Sequence, residues 1–371
     1  MLFGKYSKKF ILIFHNFTVH NSPTIMKKIL LLALPLLVFS AACSNLKKIN
    51  VADVDTLFFD HNPSAPNNFG TEISGKVIAR MRSGKEIDIT KNNKLEIESN
   101  DLTQRDYSNF NGSQTFVITK KPTNFNDNFA IIKLTLTDKE ERFEKVDTIR
   151  INGQADLAIL AKGNDGVDGE DMRDRGSRLI GRSGKDGDNG TNGTNGEHAH
   201  SLVVYAWQKG EMIYMHVRDL NTMEEFKYAS AVGRTITFDV SGGNGGDGGD
   251  GGDGGDGKDG KISGDNSINP GDGGNGGHGG NGGNGGNGGT IQIRIHPNCA
   301  DLQNNIKILQ NGGQGGKAGE AGESGKPGEA LTGQTPGAHG VRGVQGVHGV
   351  HGVHGVPPVI KVESFDPGQF K

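Results

Sequence analysis

Between Gly242 and Gly257 the chain reads GGNGGDGGDGGDGGDG, and from His278 it reads HGGNGGNGGNGG. Such triplets offer no apolar side chain to bury, so no ordinary core can form from them. Glycine also loses more conformational freedom on folding than any other residue. Either these segments are linkers, or their backbone is itself the packing surface. Glycine falls at every third position in six stretches: Gly163–Gly169, Gly181–Gly196, Gly242–Gly260, Gly271–Gly289, Gly313–Gly328 and Gly337–Gly355. A period of three fits an extended left-handed helix of the polyproline II type; helix and strand periods are 3.6 and 2.

Two architectures use that shape. In a collagen-like trimer, three chains wind around an axis where only glycine fits. In a polyglycine II bundle, single helices lie side by side and hydrogen-bond to neighbours. The two long GGX runs contain no proline, and a second glycine per triplet adds unfolded-state entropy with no gain to a trimer. The expectation is therefore a bundle within one monomeric chain, with a trimeric stalk as the alternative. Gly242–Gly260, Gly271–Gly289 and Gly337–Gly355 each have nineteen residues, as elements lying side by side should. Each would span roughly 59 Å. Stretches of alternating apolar and polar residues (201–207, 212–217, 235–240, 290–295 and 305–309) read as strands of a β cap. Lys261–Pro270 and Leu331–Pro336 read as turns at the opposite end. The valines Val344, Val347, Val350 and Val353 are expected against an apolar neighbour, with His348, His351 and His354 outward.

Runs such as GGHGGNGGNGGNGG and GGDGGDGGDGG resemble Bacteroidota-like, collagen-like glycine-rich exported proteins. They are also similar in style to phage tail-fibre adhesins built as polyglycine II sandwiches. That resemblance covers about half the chain and implies that far-end loops touch the ligand. Lys261, Ser263, Asp265, Asn266, Ser267 and Asn269 are then the candidate contact residues.

Upstream, MKKILLLALPLLVFSAAC over Met26–Cys43 joins two lysines, an apolar run and small residues before a cysteine, as secretory signals do. Ser40-Ala41-Ala42-Cys43 resembles the lipobox of bacterial lipoproteins, departing from it at Ser40, where leucine is usual. The resemblance implies cleavage before Cys43 and diacylglycerol on its sulfur, hence a bacterial envelope location at the outer membrane, with its facing open. Residues 1–25 read as a mis-set start, 26–42 as the signal and 43–54 as a tether. Removing residues 1–42 leaves 35 basic and 43 acidic residues, a formal charge of −8; an acidic exported chain is not a nucleic-acid binder. Only Cys299 accompanies Cys43, so no intrachain disulfide forms once Cys43 is acylated. Cys299 is expected to be a small buried residue.

Residues 55–155 carry short alternating strands with turn punctuation, as in EISGKVIARM and FAIIKLTLTD, which argues for a β-sandwich. The stretch Gly84–Thr90 resembles a phrase of bacterial immunoglobulin-like domains and implies a spacer. The triplets at Thr56 and Thr148 resemble the Asp-Thr-apolar O-glycosylation motif of Bacteroidota, although structural threonines are the plainer reading. The fold class expected overall is all-β plus polyglycine II: an immunoglobulin-like sandwich, then 156–200 as linker or first run, then a β-capped bundle over 201–356 and a tail over 357–371.

Nothing marks an enzyme: there is no paired carboxylate site, Ser/His/Asp set or phosphate loop, and no cofactor is implied. The Asp247–Asp259 ladder repeats every third residue, about 9.3 Å apart, too far for two carboxylates of one run to share calcium. A solvated face is expected. His198 and His200, taken as strand neighbours, could ligate a metal with His216, but chance surface histidines are the plainer account. The composite expectation is a non-enzymatic lipoprotein, structural or adhesive, binding protein or glycan. The alternative is an accessory subunit of an outer-membrane complex.

Overall fold

The computed structural model describes residues 49–92, 94–105, 113–175 and 182–370; residues 1–25, the signal stretch and Cys43 lie outside them. The fold is all-β, with several sheets and little helix. Among the described residues no helix is long and apolar enough to cross a membrane.

The first eight strands are β1 (Val54–Asp60), β2 (Glu72–Met81), β3 (Glu86–Asp88), β4 (Leu95–Glu98), β5 (Leu102–Gln104), β6 (Gln114–Ile118), β7 (Phe129–Asp138) and β8 (Glu141–Arg150). They form two antiparallel sheets, one ordered β1-β2-β6-β5 with β3 on β2, the other β4-β7-β8. Alternation decides the faces. In β7, Ala130, Ile132, Leu134 and Leu136 are buried while Phe129 and Ile131 are exposed. Burying each large aliphatic contributes about 1.5–3 kcal/mol. The Phe59 N–H donates to Asp147 Oδ2 at 2.8 Å, tying β1 to β8.

This unit is fastened to the C-terminal part of the chain. Asn68, fully buried, donates to the Ala155 carbonyl and to Ser230 Oγ, each at 3.1 Å. Phe69 meets Tyr228 edge-on at 5.3 Å, and Ala158 N–H donates to the Phe69 carbonyl. Gly70 sits at φ 78°, where its missing Cβ admits Ala158.

Beyond it, β9 (Leu157–Leu160), β13 (Ile236–Asp239) and β17 (Ile306–Leu309) form a parallel sheet ordered β17-β13-β9. A second sheet is ordered β12-β11-β10-β16-β18, from β10 (Leu202–Lys209), β11 (Met212–Asp219), β12 (Glu225–Ala231), β16 (Ile291–Ile295) and β18 (Val359–Val362). Within it β10, β16 and β18 run parallel. Inward residues such as Ile159, Phe238, Val204 and Ile293 are buried and make the core of this cap.

Each parallel strand continues into, or comes after, a glycine-phased run. These are g1 (163–175), g2 (182–200), g3 (242–260), g4 (271–289), g5 (311–329) and g6 (337–355). Runs g1, g3 and g5 extend the β9, β13 and β17 sheet; g2, g4 and g6 lead into β10, β16 and β18. Register carries over. Ile236 faces Leu157, and Asn244 N–H meets Asp165 at the same separation of 79 residues. Leu202 faces Ile291, and Asn284 meets Asn195, both at 89. Between g6 and β18 the register slips by one residue, across Pro357-Pro358.

The runs form two three-run layers. Parallel neighbours bond within each layer: Gly166 donates to Asn244, Gly245 to Gln314, Gly187 to Asn275 and Gly276 to Val341. Antiparallel neighbours bond between layers: Gly246 donates to Thr194, Gly277 to Gly252, Gly316 to Gly283 and Gly349 to Gly316. In the mid-layer runs g3 and g4 every triplet therefore holds three roles: one residue donates laterally, one donates across, and one points outward. Runs g3 and g4 lie mid-layer and carry glycine in both bonding roles. Edge runs need it in only one: lateral in g1 and g2, across in g5 and g6.

Candidate binding surface

The lattice's outward residues close it chemically. Asp168, Asp247, Asn192 and Asn281 are all exposed, yet each side-chain oxygen accepts a backbone N–H from the next run in its layer. Asp247 N–H meets Asp168 Oδ1 at 2.8 Å and Lys317 N–H meets Asp247 Oδ1 at 2.7 Å. Asn281 N–H meets Asn192 Oδ1 at 2.7 Å and Val347 N–H meets Asn281 Oδ1 at 2.8 Å. The aspartate ladder is thus exposed and also a row of caps, a role that spacing along one run could not reveal.

Both edges are closed in part as well. On one side Thr194 and Thr191 hydroxyls accept the N–H groups of Val167 and Glu170 at 2.7 Å. On the other, His351 and His348 Nδ1 accept the N–H groups of Gly315 and Ala318 at 3.0 Å. Pro327, in the same role farther along g5, has no N–H to close. Free backbone edges invite pairing with another chain, and at these positions the side chains remove that invitation.

This placement corrects two expectations. His348 and His351 turn toward g5 rather than outward. Val344, Val347, Val350 and Val353 meet no apolar neighbour; they are 65–70% exposed. The reason is the role order: in g6 valine takes the outward role, where g4 has Asn, and no further run lies beyond. His198 and His200 were expected on a strand, but β10 begins at Leu202. The three-residue phase runs on through Ala199, whose N–H donates to the Asn287 carbonyl. His198 therefore falls in the outward role, its Nδ1 accepting the Asn287 N–H at 2.8 Å.

His200 Nδ1 lies 2.5 Å from Asp219 Oδ2. Burial alone would raise the Asp219 carboxyl, but hydrogen bonds from His200 and from the Asn221 and Thr222 N–H groups outweigh it and hold the carboxyl below its ordinary value. His216 is buried, 3.1 Å from Glu225 and stacked on Phe370. The three histidines are thus engaged separately. Among the described residues no group of three His, Cys, Asp or Glu is arranged to hold a metal ion.

At the far end, β14 (Lys261–Ser263) and β15 (Asn266–Ile268) form a hairpin through Gly264-Asp265, with Gly264 at φ 60°. Such a two-residue loop calls for positive φ. All nine residues from 261 to 269 are exposed, including the six candidate contacts. Gln334, from the second turn, reaches the Ile268 carbonyl at 2.9 Å and Ser267 Oγ at 3.2 Å, joining both turns into one tip. Ile262 and Ile268 are each 48% exposed, and Leu331 is 46% exposed.

Elsewhere, Thr56 is half-buried in β1, and Thr148 is exposed on β8 beside Asp147, whose carboxylate is spent on Phe59. Cys299 is buried with its thiol against the Ala206 and His296 carbonyls, and burial pushes its pKa up. A pocket of about 170 Å³ between the first eight strands and the cap is lined by Phe125, Asn152, Tyr214 and Lys227, among others. The chain matches no known family model and no curated protein.

Proposed function

We propose that the protein is a non-enzymatic, lipid-anchored component of a bacterial cell envelope that binds a protein or glycan at its tip. In this reading Cys43 carries the lipid, residues 55–155 are an immunoglobulin-like spacer, and the six runs are polyglycine II helices forming a rod. The observation that carries it is the contrast between rod and tip. Along the rod, the outward side chains of g1 to g4 are committed to capping backbone N–H groups. At the tip, nine consecutive residues are exposed, with Lys261, Ser263 and Asp265 presented to solvent. A collagen-like trimeric stalk is less favoured, since the lattice glycines already bond within one chain. The accessory-subunit reading differs only in its partner, a fixed envelope protein in place of a free ligand.

The test joins anchor and tip. Cells expressing the chain or a Cys43→Ser variant are fed an alkyne-tagged fatty acid; label only on the unsubstituted chain is expected. Adhesion of those cells to host or envelope glycans and proteins is then compared with that of a variant bearing Lys261→Ala, Asp265→Ala and Asn269→Ala. Loss of adhesion at an unchanged melting temperature supports the tip. Undiminished adhesion removes it.

A further inference from the structure

The two broad faces of the lattice differ in chemistry. Outward positions of g1 and g3 are dominated by aspartate, and those of g5 mix Lys and Glu. Outward positions of g2 and g4 are mostly asparagine, and those of g6, continued by Val356 just after it, form a valine column from Val341 to Val356. Each of its six valines is 61–70% exposed. Scattered exposed valines are ordinary, but a straight column at one repeat is not.

We infer that this face pairs with the same face of a second copy, antiparallel, valine column on valine column. Three observations choose that occupant. The first is symmetry: a two-fold axis in the plane of the face and perpendicular to the runs reverses their direction while keeping their order, so g6 lies over g6. A column repeating every ~9.3 Å then interlocks with its own image at any whole-triplet offset.

The second is area. The column is ~46 Å long, and three runs at strand-like spacing are ~14 Å wide. That footprint of roughly 650 Å², before side-chain relief, approaches the ~800 Å² per partner of a stable complex.

The third is charge. The aspartates of this face, Asp186 and Asp272, sit at its tip end, and His198 sits at its cap end. Antiparallel pairing sets each acid end against an Asn- and His-bearing end, whereas the opposite broad face would set aspartate rows against each other. The pairing adds to the intrachain lattice; no second chain is needed to build a run.

The test is the protein mass of the full chain in mild detergent, by light scattering on a sizing column. It is compared with a Val344→Asp, Val350→Asp double variant. Aspartate already fills the outward role in g3, so the variant keeps its fold, which an unchanged melting curve verifies. The expected result is a two-chain particle for the parent and a dimer at least roughly tenfold weaker for the variant. A control pair on the other face, Asp250→Asn with Asp253→Asn, should remain dimeric. A parent of single-chain mass at its highest soluble concentration, or a double variant that stays fully dimeric, overturns the inference. So does a control pair that dissociates.

Discussion

Runs g3 and g4 differ from the four edge runs by one glycine per triplet, and neighbours account for the difference. A mid-layer run is approached by backbone laterally and across, so a Cβ in either role would land on a carbonyl. At Gly245 it would meet the Gly283 oxygen and at Gly246 the Val167 oxygen. In g1 the role that donates across in g3 faces no preceding run, and Val167 fills it, 70% exposed. In g5 the lateral role changes from Gly312 and Gly315 to Ala318, Ala321 and Ser324. The matching g6-to-g5 bonds lengthen from 2.8–2.9 Å near the cap to 3.1 Å where those side chains enter. Glycine content thus reads out how enclosed each run is.

The largest expected effect tests that rule directly. Gly246→Ala should destabilise by about 3 kcal/mol, the upper range of overpacking in a site that cannot relax. A Cβ at Gly315 would also land on a carbonyl, that of Gly349, but g6 is an edge run that already gives way to Ala318 three residues on, so Gly315→Ala should cost about 1 kcal/mol. Thermal melts of both decide it, and equal losses would break the distinction between enclosed and edge runs.

A second contrast sets backbone packing against side-chain packing. Where the first eight strands meet the cap, Asn68 ties the two together through its side-chain amide. Asn68→Ala leaves the Ser230 hydroxyl and Ala155 carbonyl without this partner in a buried site, for an expected loss of about 2 kcal/mol. Denaturant midpoints measure it; a loss below the edge-run value would mean that water repairs the gap.

Much of this was legible in sequence because period and role coincide. EISGKVIARM and FAIIKLTLTD became β2 and β7 with matching ends, since alternation places every second residue inside. The alternation of cap and tip could be read from run lengths and from where strands interrupt them, but Lys261–Pro270, expected to be a turn without strand content, carries the β14–β15 hairpin. The capping roles of Asp247, Thr194 and His348 were not legible. A ladder of aspartates has the same spacing whether it faces water or bonds a neighbour, and only the lateral register distinguishes the two. The valine and histidine assignments in g6 failed for the same reason: with two non-glycine residues per triplet, which one faces outward depends on which run comes next.

The join between run and strand supplies a pH test. His200 ends g2 one residue before Ser201, and Asp219 accepts from it and from the turn at Asn221 and Thr222. Because the folded Asp219 pKa is lowered, its contribution is present in full above the ordinary carboxylate value of 3.8 and is lost as pH falls through the lower folded value. The Asp219→Asn variant should be less stable at neutral pH and converge on the parent as pH falls through the lowered folded value. Parallel stability curves would place the support of g2 elsewhere.

The smallest expected effect is the sharpest comparison, because it exchanges one pair of residues between a central and an edge run. Asn284 in g4 and Val350 in g6 hold the same outward role, and they are linked: the Val350 N–H donates to Asn284 Oδ1 at 2.8 Å. Asn284→Val removes that acceptor. The N–H is near the surface, so water partly replaces the bond and the cost should be about 0.5–1 kcal/mol. Val350→Asn removes nothing, because no run lies beyond g6 to be capped, and its effect should stay within about 0.5 kcal/mol of zero. If the two changes cost the same, the asparagines are merely polar surface. If only the first costs stability, the outward side chains are part of the lattice, and g6 carries valine because the lattice ends there.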